Sequence, residues 1–427
     1  MTAELDHVEV AVSDRDYDPA RAVSSRNPPM KVINCVSRAH FGGTPWRVAV
    51  IALALRSSGV DTTVLLPSDR DAGFREFLEL HGISHIERPL RTAARMGRWG
   101  NNLRFLIGFP AQIHSLARLF RERGADMIHV NGAANVAPLI AAILSDRPVL
   151  WHWNDMLVPR WIAAVLKLLL LSRQVHAVVA SSPVAVRYGL HRGMPRYLGI
   201  LPPPLPPDFL VPSLIEPLPT LPEDRKVLGF VSNLLETKGA MEFVETVAAL
   251  RRRGVIVSGI MVGAVLSGHE AFHEKLLRRI RELQIADQIT LIGYRYDVMN
   301  VMRCFDVLLY PSHTEAAPIV IVQALAVGLP IVATAVGDIP GMLEGLGMPV
   351  VPVGHVEAMA DAVQRALAGD LASWETCRQA AKLRVSEQYS TARIASRHLE
   401  LYDAVASEPQ IKIKNAHPNA SEDITHP

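Results

Sequence analysis

Between residues 311 and 343 the chain reads PSHTEAAPIVIVQALAVGLPIVATAVGDIPGML, and its polar residues fall where a strand hands over to a helix. A short apolar run ends at Pro311, and Ser312, His313, Thr314 and Glu315 fill the loop before a helix that the spacing starts near Pro318. A carboxylate at a helix mouth can accept hydrogen bonds from ligand hydroxyls, and the N–H groups of Ala316 and Ala317 can point at an anionic oxygen. Gln323 follows Glu315 by eight residues, about two helical turns. The same glutamate would also serve as an ordinary favourable charge at a helix N-terminus, so its position alone does not choose between the roles.

A second strand end carries complementary chemistry. In GFVSNLLETKG the strand VLGFVS empties into a loop with Asn233 and Lys238 before Gly239 opens a helix. A lysine beside unpaired helix N–H groups suits a diphosphate, because point charge and helix dipole add; a lone lysine there can equally be a solvated charge. Gly263 and the pair Gly293-Tyr294 close two further strands, where a glycine either admits a ligand to the backbone or makes the turn. In WHWNDM, after the strand PVL, His152 or Asn154 stands at a strand end with Asp155 following. A histidine there can serve a reacting centre or be a satisfied structural group.

The elements that must position these residues are alternating strands and helices. KVINCVS, a glycine turn at Gly42-Gly43, the helix WRVAVIALALRSSG and the strand TTVLLPS form a β–α–β unit,. The helix around QIHSLARLFRERG, the strand DMIHVNG, the helix NVAPLIAAILSD and the strands PVLWHW and HAVVASS continue it. Residues 201–222 hold nine prolines and read as a stiff connection. A second series runs from KVLGFVS to PIVATAVG, followed by the helix VEAMADAVQRALAG and the amphipathic run TARIASRHLELYDAV. The expected architecture is α/β: two Rossmann-like, doubly wound domains facing a cleft, with ligands beyond the carboxyl ends of the strands. The expected divisions are a disordered leader at 1–29, a first domain at 30–200, the linker at 201–222, a second domain at 223–385, a returning helix at 386–406 and a disordered tail at 407–427.

Composition limits the function classes. The 427 residues carry 44 Lys and Arg against 42 Asp and Glu, a net charge of +2, too small to argue for nucleic acid as partner. Three cysteines are too few for a disulfide framework and point to a reducing compartment. The acidic, polar N-terminal stretch lacks a basic segment followed by an apolar one and is expected not to be a signal peptide. No run reaches the ~18–20 apolar residues that span a bilayer. Asp14/Asp16/Asp18 and Asp69/Asp71 read as solvated charges, and no histidine cluster suggests a catalytic metal,.

Strand–Pro-Ser-x-x-Glu-x-x-Pro, a helix ending in Ala-Leu-Ala-x-Gly-x-Pro-Ile-Val-Ala-Thr, and the following Val-Gly-Asp-Ile-Pro resemble the donor site of the group 1 glycosyltransferases. The resemblance extends from Lys31 to about Val405 and implies a GT-B fold whose C-terminal helix packs back on the first domain. It implies retaining, metal-independent transfer of sugar from a UDP- or GDP-sugar, with no other cofactor. Lys238 is similar to the lysine that binds the donor diphosphate, and Glu315 to the first glutamate of an E-x7-E motif, which contacts the donor sugar. Pro318, Ile319, Val320 and Ile321 fall where backbone approaches phosphates and ribose, and Gly42 and Gly43 resemble the loop where donor and acceptor meet. His152 or Asn154 matches the family's histidine near the anomeric carbon. Two positions depart from the pattern: Gln323 replaces the second glutamate and Asn233 the usual arginine. Gln323 can still bond a ribose hydroxyl, whereas Asn233 cannot neutralise phosphate, which implies a weaker donor site or other cations standing in.

The acceptor is expected to be a glycan or a lipid-linked molecule, in polysaccharide or glycolipid synthesis. Residues 91–124 contain seven arginines against one acid, Glu122, interleaved with Met96, Trp99, Phe105, Leu106 and Phe109. Residues 158–173 pair an apolar face with Arg160, Lys167 and Arg173. Both stretches suit contact with an anionic membrane at the inner face of the plasma membrane; the second also reads as a core helix. A catalytically weak homologue that binds a nucleotide sugar or a partner protein, and a GT-B epimerase, are the alternatives.

Overall fold

Short β-branched runs that are apolar on both faces can be buried only inside a parallel sheet covered by helices. The computed structural model describes residues 28–38, 42–68, 73–90, 99–156, 158–191, 193–194, 196–205, 222, 224–369 and 374–407, with backbone only for 99–107. The leader, most of the proline-rich connection, the basic stretch 91–98, Asp69, Asp71 and the tail lie outside these residues.

The first sheet comprises β1 (Met30–Cys35), β2 (Val60–Pro67), β3 (His85–Arg88), β4 (Met127–Asn131), β5 (Val149–Trp153), β6 (Val175–Val179) and β7 (Tyr197–Ile200). The second comprises β8 (Lys226–Val231), β9 (Val257–Val262), β10 (Ile289–Gly293), β11 (Val307–Tyr310), β12 (Ile331–Thr334) and β13 (Val350–Val351). Their orders are β3-β2-β1-β4-β5-β6-β7 and β10-β9-β8-β11-β12-β13, and every pairing is parallel. The order reverses beside β1 and beside β8. At such switch points neighbouring connections leave to opposite faces and open a crevice at the strand ends.

Alternation along the strands sorts side chains between two layers. In β5, Trp151 and Trp153 pack with Phe120 and Leu139 of the helices Trp99–Glu122 and Val136–Leu144. Leu150 points to the other face, where Val32, Met127 and Val178 meet Ile51 and Leu55 of the helix Gly43–Arg56. That face is completed by Ile394, Leu401 and Tyr402 of the C-terminal helix Thr391–Ser407. The returning helix thus fills the core of the first sheet, as the sequence leads one to expect, and each fully buried side chain contributes about 1.5–3 kcal/mol. In the second sheet Leu228 and Phe230 pack on Phe243 and Val247 of the helix Ala240–Arg252, while Val231, Leu308 and Tyr310 meet Ile321 and Leu325 of the helix Ile319–Val327.

The structure adds elements that the periodicity does not signal. β3, β7 and β13 are edge strands of four, four and two residues, too short and too half-exposed for an apolar run. The helix expected around residue 112 begins at Trp99 and runs through Pro110, where proline ordinarily ends a helix. The stretch expected to be either a membrane face or a core helix is the helix Arg160–Leu166 with a tight turn at Lys167–Leu171. Ala163 and Leu170 face inward, but Trp161, Val165, Leu168 and Leu171 are 59–74% exposed. Among the described residues no helix is long and apolar enough to cross a membrane.

Candidate functional site

The carboxyl ends of β1, β5, β8, β9, β10 and β11 converge on one cleft of about 280 Å³ between the two sheets. From the first domain come Gly42, Gly43 and Asn154. From the second come Asn233, Lys238, Gly263, Tyr294, Glu315, Ala316, Ala317, Pro318, Ile319, Val320 and Gln323. His152 is not part of this lining. It is fully buried in β5, and its ring stacks on that of His129. The end of β5 at Trp153 explains the difference: His152 sits within the strand, whereas Asn154 lies beyond it, free of the strand's alternation.

Glu315 organises the second-domain side. Its Oε1 accepts from Lys238 Nζ at 2.6 Å, from the Tyr310 hydroxyl at 2.7 Å and from Ser312 Oγ at 2.8 Å. Burial, and the Glu315 charge beside it, push the Tyr310 phenol well above its ordinary value, so it remains a donor. The loop itself is fixed from behind: Thr334 Oγ1 donates to Ser312 O at 2.5 Å, and His313 Nε2 lies 2.7 Å from Glu242 Oε1. Burial also pushes the Asp338 carboxyl, in the loop behind Glu315, up to about 6.

Glycines set the backbone. Gly239 has φ +75, and a Cβ there would lie 2.0 Å from the Pro311 carbonyl oxygen; this close approach brings Lys238 beside Glu315. Gly263 has φ +153, and a Cβ would lie 1.9 Å from Ser232 O. The helix Ile319–Val327 is preceded by Pro318 in an extended conformation, so Glu315, Ala316 and Ala317 lie just before its first turn.

The domains meet through these loops. Ser181 Oγ donates to Ala316 O at 3.0 Å, and Ile319 packs among Trp46, Phe74 and Phe77 of the first domain. Asn154 Nδ2 donates to Thr44 Oγ1 at 3.2 Å, fixing the end of β5 to the start of the first helix. Among the described residues no three His, Cys, Asp or Glu side chains are grouped as a metal set.

Residues 225–369 match the family described as Glycosyl transferases group 1, and residues 41–209 match Glycosyltransferase Family 4. Both halves of the chain carry glycosyltransferase domains, the second of them of group 1. It is similar to D-inositol 3-phosphate glycosyltransferase of Mycolicibacterium smegmatis, with 31% identity over 150 residues, 34% of each chain. The match therefore spans about a third of the length of that curated relative. Two solved structures share the two-domain GT-B fold. A glycosyltransferase from Rickettsia africae gives a TM-score of 0.71 at 17% identity, covering 89% of this chain and 100% of its own. Anabaena Alr3699/HepE in complex with UDP-glucose gives 0.69 at 19%, covering 88% and 100%.

Two charged cleft residues escaped the reading from sequence. Arg295 lines the cleft and is bonded through Nε and Nη2 to both carboxylate oxygens of Asp297, at 2.7 and 2.8 Å, with both side chains buried. Arg47 lines it from the first helix. The signal for Arg47 was present, a single charge inside the apolar run WRVAVIALAL. The signal for Arg295 was the Arg-x-Asp spacing directly after a strand-closing glycine.

Proposed function

We propose that the chain transfers a sugar, with retention of anomeric configuration and without a metal ion, from a UDP- or GDP-sugar to a glycan or lipid-linked acceptor. The observation that carries this reading is the Lys238–Glu315 contact of 2.6 Å at the mouth of the cleft. In this reading the cation serves the leaving diphosphate and the neighbouring carboxylate serves the sugar hydroxyls. The bond between the anomeric carbon and the diphosphate oxygen breaks, the nucleoside diphosphate leaves with the electron pair, and the acceptor hydroxyl bonds to that carbon as its proton passes to the departing diphosphate oxygen. Lys238 and the N–H groups of Ala316 and Ala317 stabilise the charge on the leaving group. Tyr310 and Ser312 hold Glu315 in place. We assign no covalent nucleophile, and Asn154 is the first-domain side chain at the reacting face. Binding of UDP-glucose by Anabaena Alr3699/HepE supports a nucleotide-sugar donor.

The test is a melting-temperature screen with UDP-, GDP- and ADP-sugars, paired with donor hydrolysis and transfer assays. One nucleotide class is expected to raise the melting temperature and to be turned over. A shift without turnover favours the alternative motivated by Asn233 and Gln323, a homologue that binds nucleotide sugar but transfers weakly. No shift with any class counts against the donor site itself.

The site of action is proposed to be the cytoplasmic face of an anionic membrane. Trp161, Val165 and Leu168 follow one another at helical spacing and are exposed together with Leu171. Arg160 and Arg173 flank them. Apolar side chains edged by cations suit a bilayer carrying acidic lipid. The protein is expected to sediment with phosphatidylglycerol vesicles and far less with phosphatidylcholine vesicles. A Trp161→Ser/Leu168→Ser double variant should lose most of that binding. Equal sedimentation of wild type and double variant would remove this surface from the proposal.

A further inference from the structure

Four charged side chains line the described cleft: Lys238, Arg295, Glu315 and Arg47. Lys238 is matched by Glu315, and Arg295 by Asp297. Arg47 has no such partner. It lies in the first helix between Trp46 and Val48, is 4% exposed, and burial lowers its pKa to about 10, so it remains charged at neutral pH. Its Nη1 lies 2.8 Å from His152 Nε2, and its Nη2 donates to Asn131 Oδ1. Arginine only donates, so Nε2 accepts and the imidazole proton sits on Nδ1. Burial and the adjacent Arg47 charge hold His152 well below its ordinary pKa, so both acceptors are neutral. Among the described residues Arg47 has no carboxylate within ion-pair distance.

A buried cation is costly unless an opposite charge offsets it. A guanidinium has five donors in a fixed fork, and the two contacts with His152 and Asn131 leave others for a ligand. Asn233, on the opposite side of the cleft, brings no charge. We propose that Arg47 is an oxyanion-binding residue of this cleft, and that His152 and Asn131 are positioning residues that hold its guanidinium. The ligand group is a phosphate or carboxylate oxygen, from the donor's diphosphate or from an acidic acceptor. This rests on reading the cleft as a nucleotide-sugar site. It also gives His152 a role that its distance from the cleft lining allows.

Calorimetric titration with UDP, GDP and inorganic pyrophosphate, alongside donor hydrolysis and transfer kinetics, separates the sources. If the donor supplies the oxygen, Arg47→Met binds the nucleoside diphosphate and pyrophosphate about 10–100-fold more weakly, the worth of one charged hydrogen bond, and Arg47→Lys falls between. If the acceptor supplies it, nucleotide affinity and donor hydrolysis stay at wild-type values while the KM for acceptor rises at least ~10-fold. His152→Gln, which keeps an acceptor for Nη1, is expected within about threefold of wild type, and His152→Phe is expected to follow Arg47→Met. A purely packing role for His152 would not separate Gln from Phe in this order. Should Arg47→Met fail to fold, Arg47→Lys carries the test, because it keeps the charge and loses the fork. Wild-type binding and kinetics unchanged in every Arg47 variant overturn the proposal and leave the nucleotide-sugar reading standing. A wild-type chain that binds neither nucleotide nor pyrophosphate overturns both.

Discussion

Glu315→Ala is expected to lower the turnover of sugar transfer by about 10²–10³-fold, the scale seen when one preorganised electrostatic contact is removed from a reacting centre. Three donors converge on a single Glu315 oxygen: Lys238 Nζ, the Tyr310 hydroxyl and Ser312 Oγ. Without the carboxylate, Lys238 loses the contact that fixes its head group, and the proposed hydrogen bonds to the donor sugar are lost. Part of the effect will be structural, because the Glu315 side chain is only 9% exposed and leaving its donors unsatisfied costs about 1–3 kcal/mol. Glu315→Gln separates the two contributions, since it preserves shape and one acceptor oxygen while removing the charge. If charge matters, the Glu315→Gln variant should melt near the wild type yet transfer sugar at least about tenfold more slowly. Steady-state kcat and KM with the donor identified by the melting screen decide the matter. Turnover within about threefold of wild type in Glu315→Ala would falsify the assignment of this residue to the reacting centre.

Gly239→Ala is expected to destabilise the second domain by about 3 kcal/mol and to lower donor affinity at the same time. Left-handed backbone costs an L-residue about 1–2 kcal/mol, and overpacking adds about 1–3 kcal/mol. Both apply here, because φ is +75 and the new Cβ would fall 2.0 Å from the Pro311 carbonyl oxygen. That carbonyl is main chain and cannot rotate away. The strand end would have to shift, and Ser312 and Glu315 would shift with it. Gly254→Ala is the control: its φ of +78 is nearly the same, but nothing lies within 4 Å of the added Cβ. It should show the backbone cost alone, about 1–2 kcal/mol, with donor binding intact. Urea unfolding monitored by circular dichroism measures both variants. Equal loss in the two would mean that the approach of Gly239 to Pro311 does not constrain the site.

These outcomes bear on how much of the molecule is written locally in the chain. Strand runs such as KVLGFV and VLLY, the helix IVIVQALAV and the turn glycines announce themselves because their periodicity and backbone demands act over a few residues. So do Lys238, Gly263 and Glu315, which stand at the ends of such runs, and Gln323, the lone polar residue inside IVIVQALAV; the parallel order of the strands brings them to one cleft. Edge strands like Val350–Val351 leave no comparable mark, since two residues cannot establish a period.

The sequence by itself therefore determined the α/β class, the doubly wound order of elements, the returning C-terminal helix and most of the second-domain side of the cleft. Tertiary structure decided which polar residues meet across distance. His152 and Asn154 are two residues apart, and only the termination of β5 at Trp153 leaves one buried and the other facing the cleft. Arg47 and His152 are separated by 105 residues, yet they lie 2.8 Å apart, because β1 and β5 both flank β4. The exposure of Trp161 and Leu168 was likewise settled by which face the neighbouring helices leave uncovered. The physical reason is common to all three: periodicity and propensity specify an element and its faces, whereas burial and charge pairing depend on which other element packs there.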